Sequence, residues 1–175
     1  MPELIPVLDK EAIAHKVADV GRQISKDYKD ADLVLICVLK GAFMFLADLV
    51  RQIDVKNLQI DFVRVASYGD LSQSSGCIRL LKDIETDIGG RDVLIIEDIL
   101  DSGLTMAYLR DHLAAFGPKS IGFCVMLDKP HRRRVAIEAD YVGHTVAENG
   151  FLVGYGLDYA ETYRNLPEVY DLKMG

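Results

Sequence analysis

The sequence predicts an α/β domain with a mostly parallel central sheet and helices on both faces. Three short aliphatic runs support this prediction, at residues 33–39, 93–96 and 121–127. Continuous apolar runs of this length are typical of strands that are buried on both faces, as the strands of a parallel sheet are. Segments with helical spacing of apolar residues separate the runs, and this alternation favours a parallel sheet.

Three helices and three further strands complete the prediction. The first helix begins after Asp9, a capping residue, and extends to about Tyr28. The apolar positions of the other two helices are Phe43, Leu46, Val50 and Ile53, and then Met106, Leu109 and Leu113. The third helix ends at Gly117-Pro118. Leu58, Ile60 and Phe62 alternate with Gln59 and Asp61, which predicts a half-buried strand, and strands are also expected at residues 77–81 and 141–146.

Length and composition favour a single soluble domain over residues 1–175. A chain of 175 residues can form one substantial core and is too short to suggest two. The net charge of −7 argues against a nucleic-acid partner. No apolar stretch reaches the ~18 residues of a membrane span, and the N-terminus lacks a basic segment followed by an apolar one. We therefore expect no membrane partner and a cytoplasmic location.

The three cysteines do not suggest a metal or redox site. Cys37, Cys77 and Cys124 are scattered, and no Cys-x-x-Cys pair occurs. Two of them lie in apolar, strand-like runs, so buried and reduced thiols are expected.

The most informative segment is residues 93–105. Its aliphatic first half is interrupted by Glu97 and Asp98, and Asp101 follows before the turn Ser102-Gly103. Ligands of open α/β sheets bind outside the carboxyl ends of the strands. A loop of small residues that leads into a helix presents free backbone N–H groups to an anion, and Gly103 lets the backbone approach a phosphate closely.

The acids of this segment suggest a second type of ligand beside the phosphate. Three carboxylates within five residues repel one another, so they need a cation or hydroxyl donors to stay ionised. Sugar hydroxyls and Mg²⁺ with phosphate oxygens meet that need, and a ribose 5-phosphate would satisfy both halves of the segment. The alternative is a buried strand followed by a solvated acidic turn, but the context of all thirteen residues favours a functional site.

Two lysines follow the other apolar runs, and each has two interpretations. Lys40-Gly41 could hold a second anionic group, or Lys40 could be a solvated residue at a helix start. Lys129 could donate a hydrogen bond to a ring carbonyl, which favours a 6-oxopurine over a 6-aminopurine, or it could be a surface lysine.

Several other polar segments leave alternatives open. Residues 67–76 are either a mobile loop or a lid, with Tyr68 at its base as a side chain that could cover a site. Phe151 could stack on a planar base or belong to the core, and Arg164 could reach a pyrophosphate or form a surface ion pair. The basic cluster of residues 131–134 is expected to be solvated or at a subunit contact, with no assigned role.

Taken together, these motifs resemble one known family. Residues 93–105 are similar to the phosphoribosyl-pyrophosphate signature of type I phosphoribosyltransferases, and the resemblance extends from about Leu33 to Leu166. It includes Leu39-Lys40-Gly41, the pair Ser67-Tyr68, and the series Phe151, Gly154-Tyr155, Leu157-Asp158-Tyr159 and Arg164. The resemblance implies that family's fold, with a small hood built from the terminal regions, and a non-proline cis peptide at Leu39-Lys40.

The resemblance also implies an activity. This is purine salvage, in which the 5-phosphoribosyl group of phosphoribosyl pyrophosphate moves to hypoxanthine or guanine and gives IMP or GMP with pyrophosphate. Mg²⁺ is the implied cofactor, and a homodimer or homotetramer is the implied assembly. The alternatives are a regulatory protein on the same fold, which binds a nucleotide or RNA without turnover, and a sister transferase that acts on xanthine, adenine or a pyrimidine; Lys129 disfavours adenine among these.

The implied site draws on residues from five parts of the chain. Its substrate contacts are Lys40, Gly41, Ser67, Tyr68, Glu97, Asp98, Ile99, Asp101, Ser102, Gly103, Leu104, Thr105, Lys129, Phe151, Leu152, Asp158 and Arg164. Asp101 is the implied catalytic base, and Glu97, Asp98 and Asp158 are the implied metal-site residues. Leu104 stands where some members carry a basic residue.

Rival nucleotide-binding and hydrolase motifs are absent from the sequence. It contains no Gly-x-x-x-x-Gly-Lys-[Ser/Thr] segment, no Gly-x-Gly-x-x-Gly after a strand and no Gly-x-Ser-x-Gly elbow.

Overall fold

The computed structural model describes residues 2–68 and 77–175. Its helices and strands are, in chain order, β1 (Glu3–Leu8), α1 (Lys10–Asp27), β2 (Asp32–Leu39), α2 (Phe43–Val50), β3 (Asn57–Tyr68), β4 (Cys77–Lys82), β5 (Asp92–Leu100), α3 (Leu104–Ala114), β6 (Ser120–Asp128), β7 (Tyr141–Thr145), β8 (Leu152–Val153) and β9 (Val169–Lys173). A short 3₁₀ turn occupies Pro130–Arg132.

The larger of the two described sheets has the strand order β4-β3-β2-β5-β6-β7. All neighbours in it are parallel except β3 and β4, which pair antiparallel. The mostly parallel sheet predicted from the aliphatic runs is therefore confirmed. The second sheet is antiparallel, with the order β1-β9-β8. We call it the hood, and its strands come from the terminal regions, as the resemblance implied.

The core has two apolar layers, one on each face of the larger sheet. Alternate residues of the central strands point to opposite faces, so Leu33 and Leu35 belong to one layer while Val34 and Ile36 belong to the other. Helices α1 and α2 cover the first layer and α3 covers the second. This double covering explains why the central strands are aliphatic throughout.

The helix predictions are confirmed, with small differences at their ends. Asp9 is the N-cap of α1, and its carboxylate accepts a hydrogen bond of 2.8 Å from the backbone N–H of Ala12. Helix α2 ends at Val50, and the chain continues to Ile53 in a tighter turn in which the N–H of Ile53 bonds the carbonyl of Val50. Among the residues described, no helix is long and apolar enough to cross a membrane.

Strand β3 is present, but the division of its faces differs from the simple alternation. Ile60 is 40% exposed, whereas Asp61 is only 6% exposed. The carboxylate of Asp61 accepts hydrogen bonds of 2.7 Å from the N–H groups of Glu85 and Thr86. Asp61 is thus buried because it anchors the loop before β5, a contact that lies outside the strand's own sequence.

The prediction of buried cysteines holds for two of the three. Cys37 and Cys124 are buried free thiols, while Cys77 is exposed. Cys77 begins the edge strand β4, whose residues alternate between exposed and half-buried. The expectation was therefore wrong for Cys77.

Candidate active site

The predicted site lies where β2, β5 and β6 end. These strands are parallel neighbours, so their carboxyl ends share one edge of the sheet. Gly41, just after β2, lies against Asp98 of β5, and a Cβ at position 41 would overlap that carboxylate. The backbone N–H of Lys129, just after β6, bonds the carbonyl of Leu100 at 3.0 Å. Three segments that are distant in sequence are thus in direct contact.

The turn between β5 and α3 forms one wall of a hollow. Gly103 is the N-cap of α3 and has a φ of 84°, a left-handed conformation that favours glycine. The hollow is about 240 Å³ and is lined by Glu97, Asp98, Ile99, Leu100, Asp101, Ser102, Gly103, Thr105 and Met106. The first N–H groups of a helix have no carbonyl partner within it, so this wall can donate to an anion. The N–H of Leu104 has only a long contact of 3.3 Å with the Ser102 hydroxyl.

The two acids of β5 have little compensating charge. Glu97 is buried and Asp98 is half-buried. Burial raises the pKa of Glu97 well above its usual value, and the nearby charge of Asp98 raises it further. Burial also raises the pKa of Asp98, although the N–H of Ile99 and the charge of Arg164 oppose that rise. A cation or hydroxyl donors placed in the hollow would favour the ionised forms of both acids.

Asp101 forms an ion pair with Arg132. Its carboxylate accepts a hydrogen bond of 3.0 Å from Nε of Arg132. Both side chains remain accessible, with exposed fractions of 43% for Asp101 and 54% for Arg132. An accessible carboxylate beside a helix N-terminus can take part in proton transfer.

Lys40 and Arg164, the two cations predicted to bind pyrophosphate, both form ion pairs with Glu161, which was not among the predicted site residues. Glu161 binds Nζ of Lys40 at 2.5 Å and Nη2 of Arg164 at 3.0 Å. Arg164 also pairs with Asp158 at 2.9 Å. These contacts bring Lys40, Asp158 and Arg164 together as predicted. The one sequence signal for Glu161 is its position three residues before Arg164, which is common among surface ion pairs.

The backbone around these cations is unusual at several positions, and two of them show how the site is packed. The peptide bond Leu39-Lys40 is cis, as the resemblance implied. Gly156 has a φ of 96°, and a Cβ there would overlap the carbonyl oxygen of Gly41. The segment that carries Asp158 therefore packs directly on the loop that carries Lys40.

Lys129 is buried rather than on the surface. It is 6% exposed, and its Nζ donates a hydrogen bond of 2.6 Å to the carbonyl of Gly150. Burial lowers the pKa of Lys129, while the charge of Asp101 opposes this effect. Phe151 is 52% exposed, with its ring 5.6 Å from that of Tyr159, so it is not part of the core.

Leu152 and the pair Ser67-Tyr68 lie on strands of different sheets. Leu152 is buried at the start of β8 in the hood. Ser67 and Tyr68 end β3, which is parallel to β2, and pair with Ile78 and Cys77 of β4. The rest of the predicted lid, residues 69–76, lies outside the described residues.

The basic cluster was expected to be solvated or at a subunit contact, and His131, Arg132 and Arg134 are exposed, but Arg133 is not. Arg133 is 16% exposed in its side chain, and it forms an ion pair with Asp128. Arg132 binds Asp101, and the backbone N–H of Arg134 bonds the carbonyl of Ser102 at 2.9 Å. Residues 132–134 therefore pack against the turn that lines the hollow.

The structure contains no ready-made metal cage in the part of the chain that it describes. No group of three or more His, Cys, Asp or Glu side chains that could hold a metal occurs there.

A larger hollow elsewhere is a poorer candidate for the site. It measures about 450 Å³ and lies between α1, α2 and the segment around Tyr155. Its acid, Asp48, already accepts a hydrogen bond of 2.7 Å from the Tyr155 hydroxyl. Neither Gly103 nor the acids of β5 line it.

Comparison with known proteins decides the family. The phosphoribosyl transferase domain family matches residues 6–160. The chain belongs to this family. It is similar to hypoxanthine phosphoribosyltransferase of Escherichia coli (strain K12), with 43% identity over 172 residues that cover 97% of this chain and 96% of the relative. It is also similar to hypoxanthine-guanine phosphoribosyltransferase of Bacillus subtilis (strain 168), with 47% identity over 167 residues, or 95% of this chain and 92% of the relative.

A solved structure extends the likeness to the whole phosphoribosyltransferase fold. The crystal structure of a hypoxanthine-guanine phosphoribosyltransferase from Bacillus anthracis superposes with a TM-score of 0.92 at 41% identity. The match covers 99% of this chain and 100% of that chain. Both the mostly parallel sheet and the hood therefore belong to the family's fold.

Proposed function

We propose that this chain is a purine salvage transferase that moves the 5-phosphoribosyl group from phosphoribosyl pyrophosphate to hypoxanthine or guanine. The products are IMP or GMP and pyrophosphate. One observation carries the proposal. The hollow between β5 and α3 places the first turn of α3, whose N–H groups have no carbonyl partner within the helix, beside Glu97 and Asp98, whose pKa values are raised by burial, and this combination fits a sugar phosphate. Near full-length similarity to transferases that are named for these bases supports it.

The phosphoribosyl group would occupy this hollow. Backbone and hydroxyl donors of Asp101, Ser102, Gly103, Leu104 and Thr105 would hold the 5-phosphate, in contact with Ile99, and Glu97 and Asp98 would accept hydrogen bonds from the ribose hydroxyls. Both acids are hard oxygen donors whose pKa values are raised by burial, so the pair fits Mg²⁺, with Asp158 as a further neighbour through water. When bound, Mg²⁺ would neutralise charge on the pyrophosphate.

The leaving group would be steadied by residues on the β2 side of the site. Lys40, the backbone of Gly41 and Arg164 would contact pyrophosphate, replacing the contacts that the two cations make with Glu161. Positive charge develops on the ribose ring as the leaving group departs, and Glu97 and Asp98 would stabilise it electrostatically. Ser67 and Tyr68, which end the strand next to β2, would lie on this side of the site.

The base would be held on the β6 side. Nζ of Lys129 would donate to the 6-oxo group, Phe151 would stack on the ring, and the main chain at Leu152 would bond its edge. Asp101 would accept the proton that the ring nitrogen loses as it attacks the sugar. An ammonium group donates only, so a 6-amino group would meet a poor partner and adenine would be disfavoured.

A turnover assay tests the proposal. The full chain is incubated with phosphoribosyl pyrophosphate, Mg²⁺ and either hypoxanthine, guanine, xanthine or adenine, and the nucleotide and pyrophosphate are quantified. IMP and GMP should form, EDTA should stop their formation, and AMP should be absent. Release of neither IMP nor GMP would reject the function in favour of a binding role.

The role of Lys129 has its own test. Lys129→Met keeps the length of the side chain but removes the donor, and a hydrogen bond from a charged group is worth ~1.5–3 kcal/mol. We expect kcat/KM for guanine to fall ~10- to 100-fold. Lys119→Met is the matched control, because Lys119 is 68% exposed and pairs with Asp92, which begins β5 at the end of the strand away from the site. An equal loss in both variants would remove the assignment of Lys129.

Assembly and location follow as part of the same proposal. We expect a homodimer or homotetramer of single-domain subunits in the cytoplasm, without nucleic-acid or membrane partners. Light scattering of the purified chain measures the subunit number, and a monomer at micromolar concentration would contradict the assembly.

A further inference from the structure

The basic cluster after β6 contains one arginine with an unusual number of partners. The Arg133 guanidinium donates to four backbone carbonyls and forms an ion pair with Asp128. Its Nη1 bonds the carbonyls of Leu100 at 3.0 Å, Asp101 at 2.9 Å and Lys129 at 3.3 Å. Its Nε bonds the carbonyl of Ile137 at 3.0 Å. The planar guanidinium therefore uses donors in several directions at once.

These partners belong to different parts of the candidate site. Leu100 and Asp101 lead from β5 into the turn that lines the hollow, while Asp128 and Lys129 end β6. One nitrogen atom, Nη1, thus connects the phosphate side of the site to the lysine on its base side. The β5–β6 ladder extends to Leu100 and Asp128, and the N–H of Lys129 adds a bond of 3.0 Å to the carbonyl of Leu100; the Arg133 contacts reach beyond this ladder into the turn.

The chemistry of the contacts requires arginine. The side chain is 16% exposed and that of Asp128 is 13% exposed, so solvent screens this ion pair much less than a surface pair. A guanidinium donates hydrogen bonds from three nitrogen atoms in a fixed plane, here Nε, Nη1 and Nη2. The single nitrogen of a lysine cannot reach all of the same acceptors. Ile137, whose carbonyl is the fourth acceptor, also contacts the turn directly: its side chain fills the space that a Cβ at position 103 would need.

We propose that Arg133 is a positioning residue that fixes the distance between the phosphate-binding turn and Lys129. It touches neither substrate, and it acts through the carbonyls that it holds. The inference rests on the proposed function, because it assumes that one ligand spans both sides of the site. Loss of Arg133 should therefore weaken ligands that span both sides more than ligands that contact only one.

Ligand binding separates this role from a general loss of stability. Calorimetry measures the affinity of wild type and Arg133→Lys for GMP, which spans both sides, and for ribose 5-phosphate, which contacts only the phosphate side. We expect the affinity for GMP to fall ~10-fold further than that for ribose 5-phosphate, since a misplacement of ~1 Å can cost ~100-fold in a site of this kind. Equal losses for both ligands, or no loss, would overturn the proposal.

Chemical rescue gives a second readout. In Arg133→Ala, added ethylguanidinium should restore part of kcat/KM, whereas ethylammonium at the same concentration should not. Arg134→Lys is the matched control, since Arg134 is exposed and only its backbone N–H bonds the turn. If the Ala variant does not fold, the Arg133→Lys binding ratio decides alone.

The two proposals fail in distinguishable ways. Wild type that binds neither GMP nor ribose 5-phosphate and forms no nucleotide would reject the proposed function. Active wild type whose Arg133→Lys variant keeps the wild-type ratio of the two affinities would reject only the role of Arg133.

Discussion

Replacement of Asp101 with asparagine separates catalysis from binding in this site. The change removes one negative charge and the ability to accept a proton, and it keeps the size of the side chain. If Asp101 is the general base, kcat should fall ~100- to 10,000-fold. The backbone donors of the adjacent turn are unchanged, so the affinity for ribose 5-phosphate should stay within a few fold.

The Asp101→Asn substitution should change the free energy of unfolding only slightly. Asp101 loses its ion pair with Arg132, but the two side chains are 43% and 54% exposed. An exposed pair of this kind contributes ~0–1 kcal/mol to the free energy of unfolding. For a domain of this size the corresponding fall in Tm is at most ~2–4 °C. A large loss of turnover cannot then be a consequence of unfolding at assay temperature.

The assay compares Asp101→Asn with a matched control. Asp111→Asn removes an acid that pairs with Nε of Arg110 at the same 3.0 Å distance, on the exposed surface of α3. Turnover is measured at saturating guanine and phosphoribosyl pyrophosphate, with Tm and the affinity for ribose 5-phosphate measured in parallel. Wild-type turnover in Asp101→Asn would refute the assignment of the base, as would an equal fall in the control.

Three further predictions follow from single contacts. Glu161→Gln should tighten the binding of inorganic pyrophosphate, because it removes the negative charge that pairs with Lys40 and Arg164. Equal or weaker binding, measured by calorimetry, would contradict this prediction. Gly41→Ala should raise KM for phosphoribosyl pyrophosphate ~100-fold, because its methyl group would displace the carboxylate of Asp98, and an unchanged KM would count against the contact. Under native conditions only Cys77 should react rapidly with a disulfide reagent, because Cys124 is buried and burial raises the pKa of Cys37 to about 12. The Cys77→Ser variant should show no rapidly reacting thiol, and two rapidly reacting thiols in the wild type would contradict the structure.

The parts of the fold that were predictable have local signals. Strand β5, its acids, the turn and the start of α3 lie within thirteen consecutive residues, so the pattern of types alone indicates their order. The N-cap at Asp9 is similarly local, since its partner is the backbone only three residues away. Such features depend on backbone geometry and short-range hydrogen bonds, which the sequence order determines.

The parts that were missed depend on distant partners. Strand β1 (Glu3–Leu8) contains a proline and pairs only with β9, at the other end of the chain, so its own sequence carries a weak signal. Glu161 binds a lysine that lies 121 residues away. Arg133 looked like a member of a solvated run because its acceptors are backbone carbonyls, which no pattern of side chains reveals.

The order of strands in the sheet supplies a reason for the proposed arrangement of substrates. Strands β2, β5 and β6 are consecutive neighbours, so Lys40 and Lys129 follow strand ends that flank that of β5. Neighbouring strands are ~4.8 Å apart, which separates the outer two by ~10 Å. A sugar held at the end of β5 would then have its leaving pyrophosphate on the β2 side and the incoming base on the β6 side. In a one-step displacement the entering and leaving groups lie on opposite sides of the reacting carbon, so the order β2-β5-β6 fits the proposed transfer. The link proposed for Arg133, between β5 and β6, would then act on the side where the new bond forms.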